Sequence, residues 1–171
     1  LVRLGHSDSQ GILDGTVHVF SKLDGTNAVV WHDEAGFHCG SRSNELVTHD
    51  NHGFKAWATS DDPVAVRLRD MARDYPGTVF YGEWLVRNVF KDYEGTAWRR
   101  FYLFDAFEPN CLTDVMEGTV RGEGQYFHYD YLAARAAQYG QYCVPPIAVL
   151  LCPTPQYVEA LTEQATFLTL N

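Results

Sequence analysis

The chain has 171 residues, enough for one domain with a real core and too few for two. With 46% hydrophobic and 14% aromatic residues it is not a disordered chain, and no apolar run approaches the roughly 18 residues that a membrane helix needs. A formal net charge of −9 excludes a protein that coats nucleic acid non-specifically, since that takes clustered Lys and Arg, but not one that grips a strand end with a local basic patch.

The N-terminus shows no charged-then-apolar signal pattern, so the expectation is a soluble, cytoplasmic protein. The four cysteines, Cys39, Cys111, Cys143 and Cys152, lack metal-like spacing and read as reduced core thiols. Residues 1–14 are polar and glycine-punctuated, and His6 reads as a loop residue with no assigned role.

Thr16–Phe20, Ala28–Trp31 and Gly36–Cys39 read as three short strands of one antiparallel sheet, with reversals at Asp24-Gly25 and at residues 32–36. Lys22, the only lysine among the first 54 residues, stands where strand pattern gives way to turn pattern, at the sheet's edge. An amine between apolar strands is partly desolvated, which disfavours its charged form and suits it to nucleophilic attack, with Asp24 placed to orient it. The alternative is an ordinary hairpin whose lysine reaches solvent. Ser41-Arg42-Ser43 follows the third strand directly, so Arg42 can lie near the lysine and fork onto a phosphate, or it is a surface arginine.

Residues 49–60 lack a clear period and read as a loop with a short helix at Phe54–Ala58. A stronger helix follows: Asp62 caps it, Pro63 takes the first position, Val64, Leu68, Met71, Ala72 and Tyr75 make one apolar stripe, and Pro76-Gly77 ends it. Arg67, Arg69 and Arg73 are a candidate basic patch or, as the better reading, its solvated face. Thr78–Val86 is apolar enough for a buried strand, which makes Glu83 out of place. A carboxylate costs several kcal/mol to bury unless paired, so Glu83 marks a ligand or cation, unless strand alternation turns it to solvent.

Residues 87–100 form a polar excursion whose Arg99-Arg100 is a candidate basic patch, and Phe101–Phe107 is the most hydrophobic strand. Phe104 either stacks on a ligand or sits in the core. Glu117-Gly118-Thr119-Val120 opens a glycine-rich loop. Asp130–Tyr139 is an alanine-rich helix closed by Gly140, Ile147–Leu151 a short apolar strand, and Thr154-Pro155 starts a last helix with Tyr157, Val158 and Leu161 on one face.

Lys22-Leu23-Asp24-Gly25-Thr26-Asn27 resembles motif I of the covalent nucleotidyltransferases, the superfamily of ATP-dependent ligases and mRNA capping enzymes. Ser41-Arg42-Ser43 resembles the arginine segment after motif I, Phe80–Leu85 resembles motif III, and Phe101–Asp105 resembles motif IIIa, all in the family's order. DNA ligases and capping enzymes usually carry arginine two residues after the motif I glycine, and RNA ligases usually asparagine, so Asn27 makes the chain similar to phage-type RNA ligases.

The resemblance implies an α+β fold: an antiparallel sheet core with flanking helices, as in an ATP-grasp-like nucleotidyltransferase domain. It implies ATP-dependent sealing of 5′-phosphate and 3′-hydroxyl RNA ends through a lysyl-AMP intermediate, with Mg²⁺ or Mn²⁺ as cofactor, RNA ends and ATP as partners, no membrane, and a monomer. Lys22 would be the nucleophile, Asp24 its orienting group, Arg42 and Asn27 holders of the α-phosphate or strand end, Glu83 the ribose contact and Phe104 the base-stacking aromatic. Ser21 departs from the glutamate or threonine that many RNA ligases carry there to read the adenine edge, so ATP over GTP rests on the resemblance alone.

Glu117-Gly118-Thr119-Val120 matches the Glu-Gly-x-Val of motif IV, yet comes too soon after motif IIIa and is expected to be a decoy. Residues 1–171 are then one adenylyltransferase domain, incomplete at its C-terminus, and the setting is the cytoplasm, or a host's if phage-encoded. A DNA ligase, a capping guanylyltransferase, and a module that binds nucleotide or RNA without chemistry remain open.

Overall fold

The computed structural model describes residues 10–87, 91–109, 112–113, 120–121 and 124–161. Glu117, His6, Cys111 and the stretch beyond residue 161 lie outside them. Strand β1 (Thr16–Phe20) leads to β2 (Thr26–Asp33) and β3 (Gly36–Ser41), followed by helices α1 (Phe54–Ala58) and α2 (Pro63–Asp74) and strand β4 (Val79–Trp84). A 3₁₀ turn at Gly95–Ala97 precedes β5 (Phe101–Glu108), and β6 (Leu112–Thr113) pairs only with β7 (Val120–Arg121). Then come β8 (Gln125–Tyr126), α3 (Tyr129–Gln138), β9 (Tyr142–Cys143), β10 (Pro146–Leu151) and α4 (Pro155–Ala160).

The main sheet runs β3-β2-β4-β5-β8 with every neighbour antiparallel, and β9 lies parallel beside β5. One face carries Ala28, Val30, Phe80, Trp84, Phe101 and Leu103 against α1, α2 and α3, which supply Phe54, Leu68, Met71 and Leu132 to a single core. The class is α+β, as the alternating strands and one-sided helices predict. The helix signals behave as local chemistry requires. Asp62 accepts from the N–H groups of Val64 and Ala65, Pro63 is the first helical residue, and Gly77 and Gly140 take positive φ beyond the ends of α2 and α3. In α2 the buried positions are Ala65, Leu68, Met71 and Ala72, so Val64 sits at the margin of the stripe. No helix among the described residues is long and apolar enough to cross a membrane.

One expectation is corrected. The first three strands do not share a sheet: β2 and β3 form a hairpin, but β1 pairs antiparallel with β10, from Thr16 with Leu151 to Phe20 with Pro146. Asp24-Gly25 makes no reversal, because Gly25 does not adopt the positive φ of a tight turn. Its lack of a side chain serves close approach, since a Cβ there would stand 2.4 Å from the Trp84 carbonyl oxygen. Residues 21–25 are therefore the step from one sheet to the other, and Lys22 stands on that step.

Candidate active site

A cleft of about 570 Å³ opens over the sheet face opposite the helices, where β2, β4 and β5 end and the crossing from β1 passes. Its size suits a small-molecule ligand of nucleotide class. The side chains that line it include Lys22, Asn27, Arg42, Glu83 and Phe104. Four separate segments are needed to bring them together.

Phe104 reaches the cleft through a β-bulge. Tyr81 pairs with Asp105 but Gly82 with Leu103, so Phe104 is skipped between two residues of β5 that do have partners on β4. An extra residue re-aims its side chain, and Phe104 is left 42% exposed between a buried Leu103 and a half-buried Asp105. That exposure decides against the core reading. Gly82 permits the tight packing beside the bulge, because a Cβ there would lie 2.4 Å from the Phe101 ring. Asp105 is pushed up from the ordinary carboxyl range by burial, against the N–H of Ala106 that donates to its Oδ1 at 2.9 Å.

Glu83 accepts a hydrogen bond from the Gly25 N–H at 2.8 Å, which ties β4 to the segment carrying Lys22. Burial raises its carboxyl above the usual range, opposed by the Gly25 N–H and the Lys22 charge and reinforced by the charge of Asp24. Alternation does not turn Glu83 to solvent; it is half-buried and lines the cleft. Leu23, 6% exposed, anchors the same segment in a second apolar cluster with Leu85, Tyr93, Ala97, Tyr102 and Val144. With Leu23 inward, its neighbour Lys22 faces out. Lys22 is exposed, which corrects the expectation of an amine desolvated by flanking strands: those strands belong to different sheets and do not close over it.

Asp24 is half-buried and is not part of the cleft lining; its N–H donates to the Tyr93 hydroxyl oxygen at 2.9 Å. Asn27 lines the cleft from the start of β2, and its carbonyl accepts from Asn51 Nδ2 at 2.9 Å while Thr26 Oγ1 donates to Asn51 Oδ1 at 3.0 Å. Arg42 is exposed at the tip of a tight loop closed by the Ser41 N–H donating to the Asn44 carbonyl and by the pairing of Gly40 with Glu45. No hydrogen bond or ion pair among the described residues occupies its guanidinium. The site thus offers two cations, a carboxylate acceptor, a side-chain amide and an exposed ring, which together match phosphates, ribose hydroxyls and a base.

The family model for RNA ligases matches residues 15–164, most of the chain. The chain belongs to the RNA ligase family. No curated protein matches it by sequence alone. Among solved structures it is similar to the RNA ligase of Naegleria gruberi, in a lysine-to-alanine variant with ATP and Mn (TM-score 0.63, 16% identity) and in a form with PPi (TM-score 0.59, 15% identity). These alignments cover 90% of this chain but 43% and 44% of the Naegleria chains, so it spans under half the length of those ligases. At such identity the likeness is one of fold.

Within this RNA ligase fold, two residues that sequence reasoning missed hold the motif I segment. Tyr93 and Asn51 lie 69 and 24 positions from the groups they bind, Asp24 and the Asn27 carbonyl. No local pattern marks either one. The Arg67, Arg69 and Arg73 series leaves Arg67 and Arg73 exposed, as a solvated face requires, and also makes structural ties: Arg69 donates to the Ala58 and Ser60 carbonyls, Arg67 to that of Tyr139, and Arg73 pairs with Asp70 and Asp74. Cys39, Cys143 and Cys152 are free thiols, and burial pushes the first two up to about 11, which makes them poor nucleophiles.

Proposed function

We propose that this chain carries the adenylyl-transfer site of an ATP-dependent RNA ligase that joins 5′-phosphate to 3′-hydroxyl ends. The observation that carries the reading is the cleft itself, where Lys22, Asn27, Arg42, Glu83 and Phe104 converge beside a lysine segment pinned by Glu83, Tyr93 and Leu23. The Lys22 amine, once it has given up its proton, attacks the α-phosphorus of ATP; a P–N bond forms and the P–O bond to pyrophosphate breaks. An RNA 5′-phosphate then displaces the lysine from AMP, and the 3′-hydroxyl of the second end displaces AMP to seal the strand. Because Lys22 is exposed in the free protein, the bound nucleotide would supply the wall that desolvates the amine.

Arg42 and Asn27 hold phosphate oxygens, Glu83 accepts from the ribose and Phe104 stacks on the base. Asp24 acts through the loop, with its backbone fixed by Tyr93 and its charge near Glu83. Mg²⁺ or Mn²⁺ would offset the charge of the nucleotide's phosphates.

The test is a mass increase of one AMP on Lys22 after incubation with ATP and Mg²⁺, in an acid-labile and base-stable bond. The chain has only three lysines, Lys22, Lys55 and Lys91, so the labelled peptide is unambiguous. Labelling that persists in Lys22→Ala would refute the nucleophile. GTP in place of ATP, and DNA ends in place of RNA, separate this reading from a capping guanylyltransferase and a DNA ligase.

A further inference from the structure

A second cleft, of about 480 Å³, lies on the opposite face of the same sheet end, lined by His52, Gly53, Ala56, Trp57, Trp84 and Arg99. Trp84 directly follows Glu83 on β4, so the two clefts are separated by one strand. The indoles of Trp57 and Trp84 stack at 5.0 Å and 27°; Trp84 is buried, while Trp57 is half-exposed. Opposite them the exposed Arg99 has no hydrogen bond or ion pair on its guanidinium among the described residues.

The backbone there is under constraint. His52 and Arg99 are two of only three non-glycine residues with positive φ among the described residues, at 52° and 57°. Such conformations are costly for residues with a Cβ and persist where the surroundings enforce them. Trp84 Nε1 donates to the His52 carbonyl at 3.1 Å, and the Arg99 N–H donates to the Leu85 carbonyl at 2.8 Å. Both residues are thereby locked to the strand end that carries Glu83. The acid nearest His52 in sequence, Asp50, is turned to the N–H groups of Lys55 and Ala56 at the start of α1. In a chain of net charge −9, an unpaired arginine that shares the lining of a nucleotide-sized cleft with an indole is a combination suited to a phosphodiester and a base.

We propose that this second cleft binds a nucleotide of the single strand whose end is processed in the first cleft, with the phosphodiester on Arg99 and His52 and the base against Trp57. That the strand is RNA, and that its end is processed in the first cleft, rest on the ligase reading. Arg99→Gly separates this from a structural role, because glycine relieves the left-handed backbone while removing the cation. In fluorescence anisotropy with a short 5′-phosphorylated single-stranded RNA, Arg99→Gly and Arg99→Gln should each weaken binding by about tenfold. Arg99→Gly should melt no lower than the wild type and still take up AMP on Lys22 at the wild-type rate.

Unchanged RNA affinity in both Arg99 variants would overturn the proposal. If the wild type takes up no AMP, yet binds RNA in an Arg99-dependent way, the second cleft stands and the ligase reading falls. A DNA oligonucleotide of the same sequence shows whether the cleft reads any single strand or RNA alone. Equal competition by free phosphate at comparable concentration would show a simple anion site and reject the base contact.

Discussion

Glu83 is a residue whose position costs stability, a cost that the proposed ribose contact would explain. Burial raises its carboxyl above the ordinary value of 4.5, so the proton is held more tightly in the folded chain than in the unfolded one. That contribution is fully present below the unfolded value and is lost as pH rises through the folded value, which leaves the ionised group a burden near neutrality. Glu83→Gln keeps an oxygen for the Gly25 N–H and removes the charge. It should melt at or above the wild-type temperature near neutral pH, with the gap closing in acid, while AMP transfer falls sharply. Melting curves across pH, set beside labelling rates, check both halves; a large loss of stability at neutral pH would mean that the carboxylate is needed for folding. Phe104→Ala is the companion case. An exposed side chain on a bulge should change stability by less than about 0.5 kcal/mol, whereas a lost stack of about 1–3 kcal/mol raises the KM for ATP roughly 5- to 150-fold. Equal losses of stability and activity would return Phe104 to the core.

Among the elements, the β2–β3 hairpin shows how a remote contact positions a site residue. His38 lies on Trp31 at 5.1 Å with rings nearly parallel, and its Nδ1 and Nε2 stand 2.6 Å from Glu45 Oε1 and 3.0 Å from Asp33 Oδ1. Both nitrogens can donate only when the ring is doubly protonated, and the two carboxylates, Glu45 first, raise its pKa against the opposing effect of burial. Glu45 closes the loop that carries Arg42. The clamp is complete below about pH 6.5, the unfolded value, and weakens as pH rises through the raised folded value; at the acid end it fails when Asp33, held low chiefly by the Ala35 N–H, is protonated. Stability and RNA affinity should both decline on the alkaline side in the wild type, and His38→Gln should flatten that decline; an unaltered profile would exclude the clamp. The hairpin, α2 with its Asp62 cap, and the buried β4 and β5 were legible in the sequence, because each follows from local periodicity and end chemistry. The placing of Lys22 and Glu83 in one cleft was legible from charged residue types set against apolar strands, and that of Arg42 from its position directly after the third strand. The pairing of β1 with β10, the bulge at Phe104, and the Tyr93 and Asn51 ties were not, since each depends on contacts between distant segments. Asp24-Gly25 misled for the same reason: the glycine answers to the Trp84 backbone, which no local reading reveals.

For the whole molecule, an acidic chain that engages RNA must do so through few contacts. With a net charge of −9, long-range steering repels a polyanion, and the cations available at the two clefts are Lys22, Arg42 and Arg99. Each phosphate neutralised on a single strand releases counterions, with a slope of about −0.7 in log affinity against log salt. Three contacts therefore predict a slope near −2, far below that of proteins that coat nucleic acid. Anisotropy titrations of the wild type from about 50 to 200 mM salt should lose roughly 20-fold in affinity. Arg99→Gln should reduce the slope by about one contact, and Lys22→Ala should do so only for RNA that carries a 5′-phosphate, because in the proposed reaction Lys22 would meet the strand at its end. A slope steeper than about −5 would require more cations than Lys22, Arg42 and Arg99 supply, and would move the main RNA contact away from these two clefts.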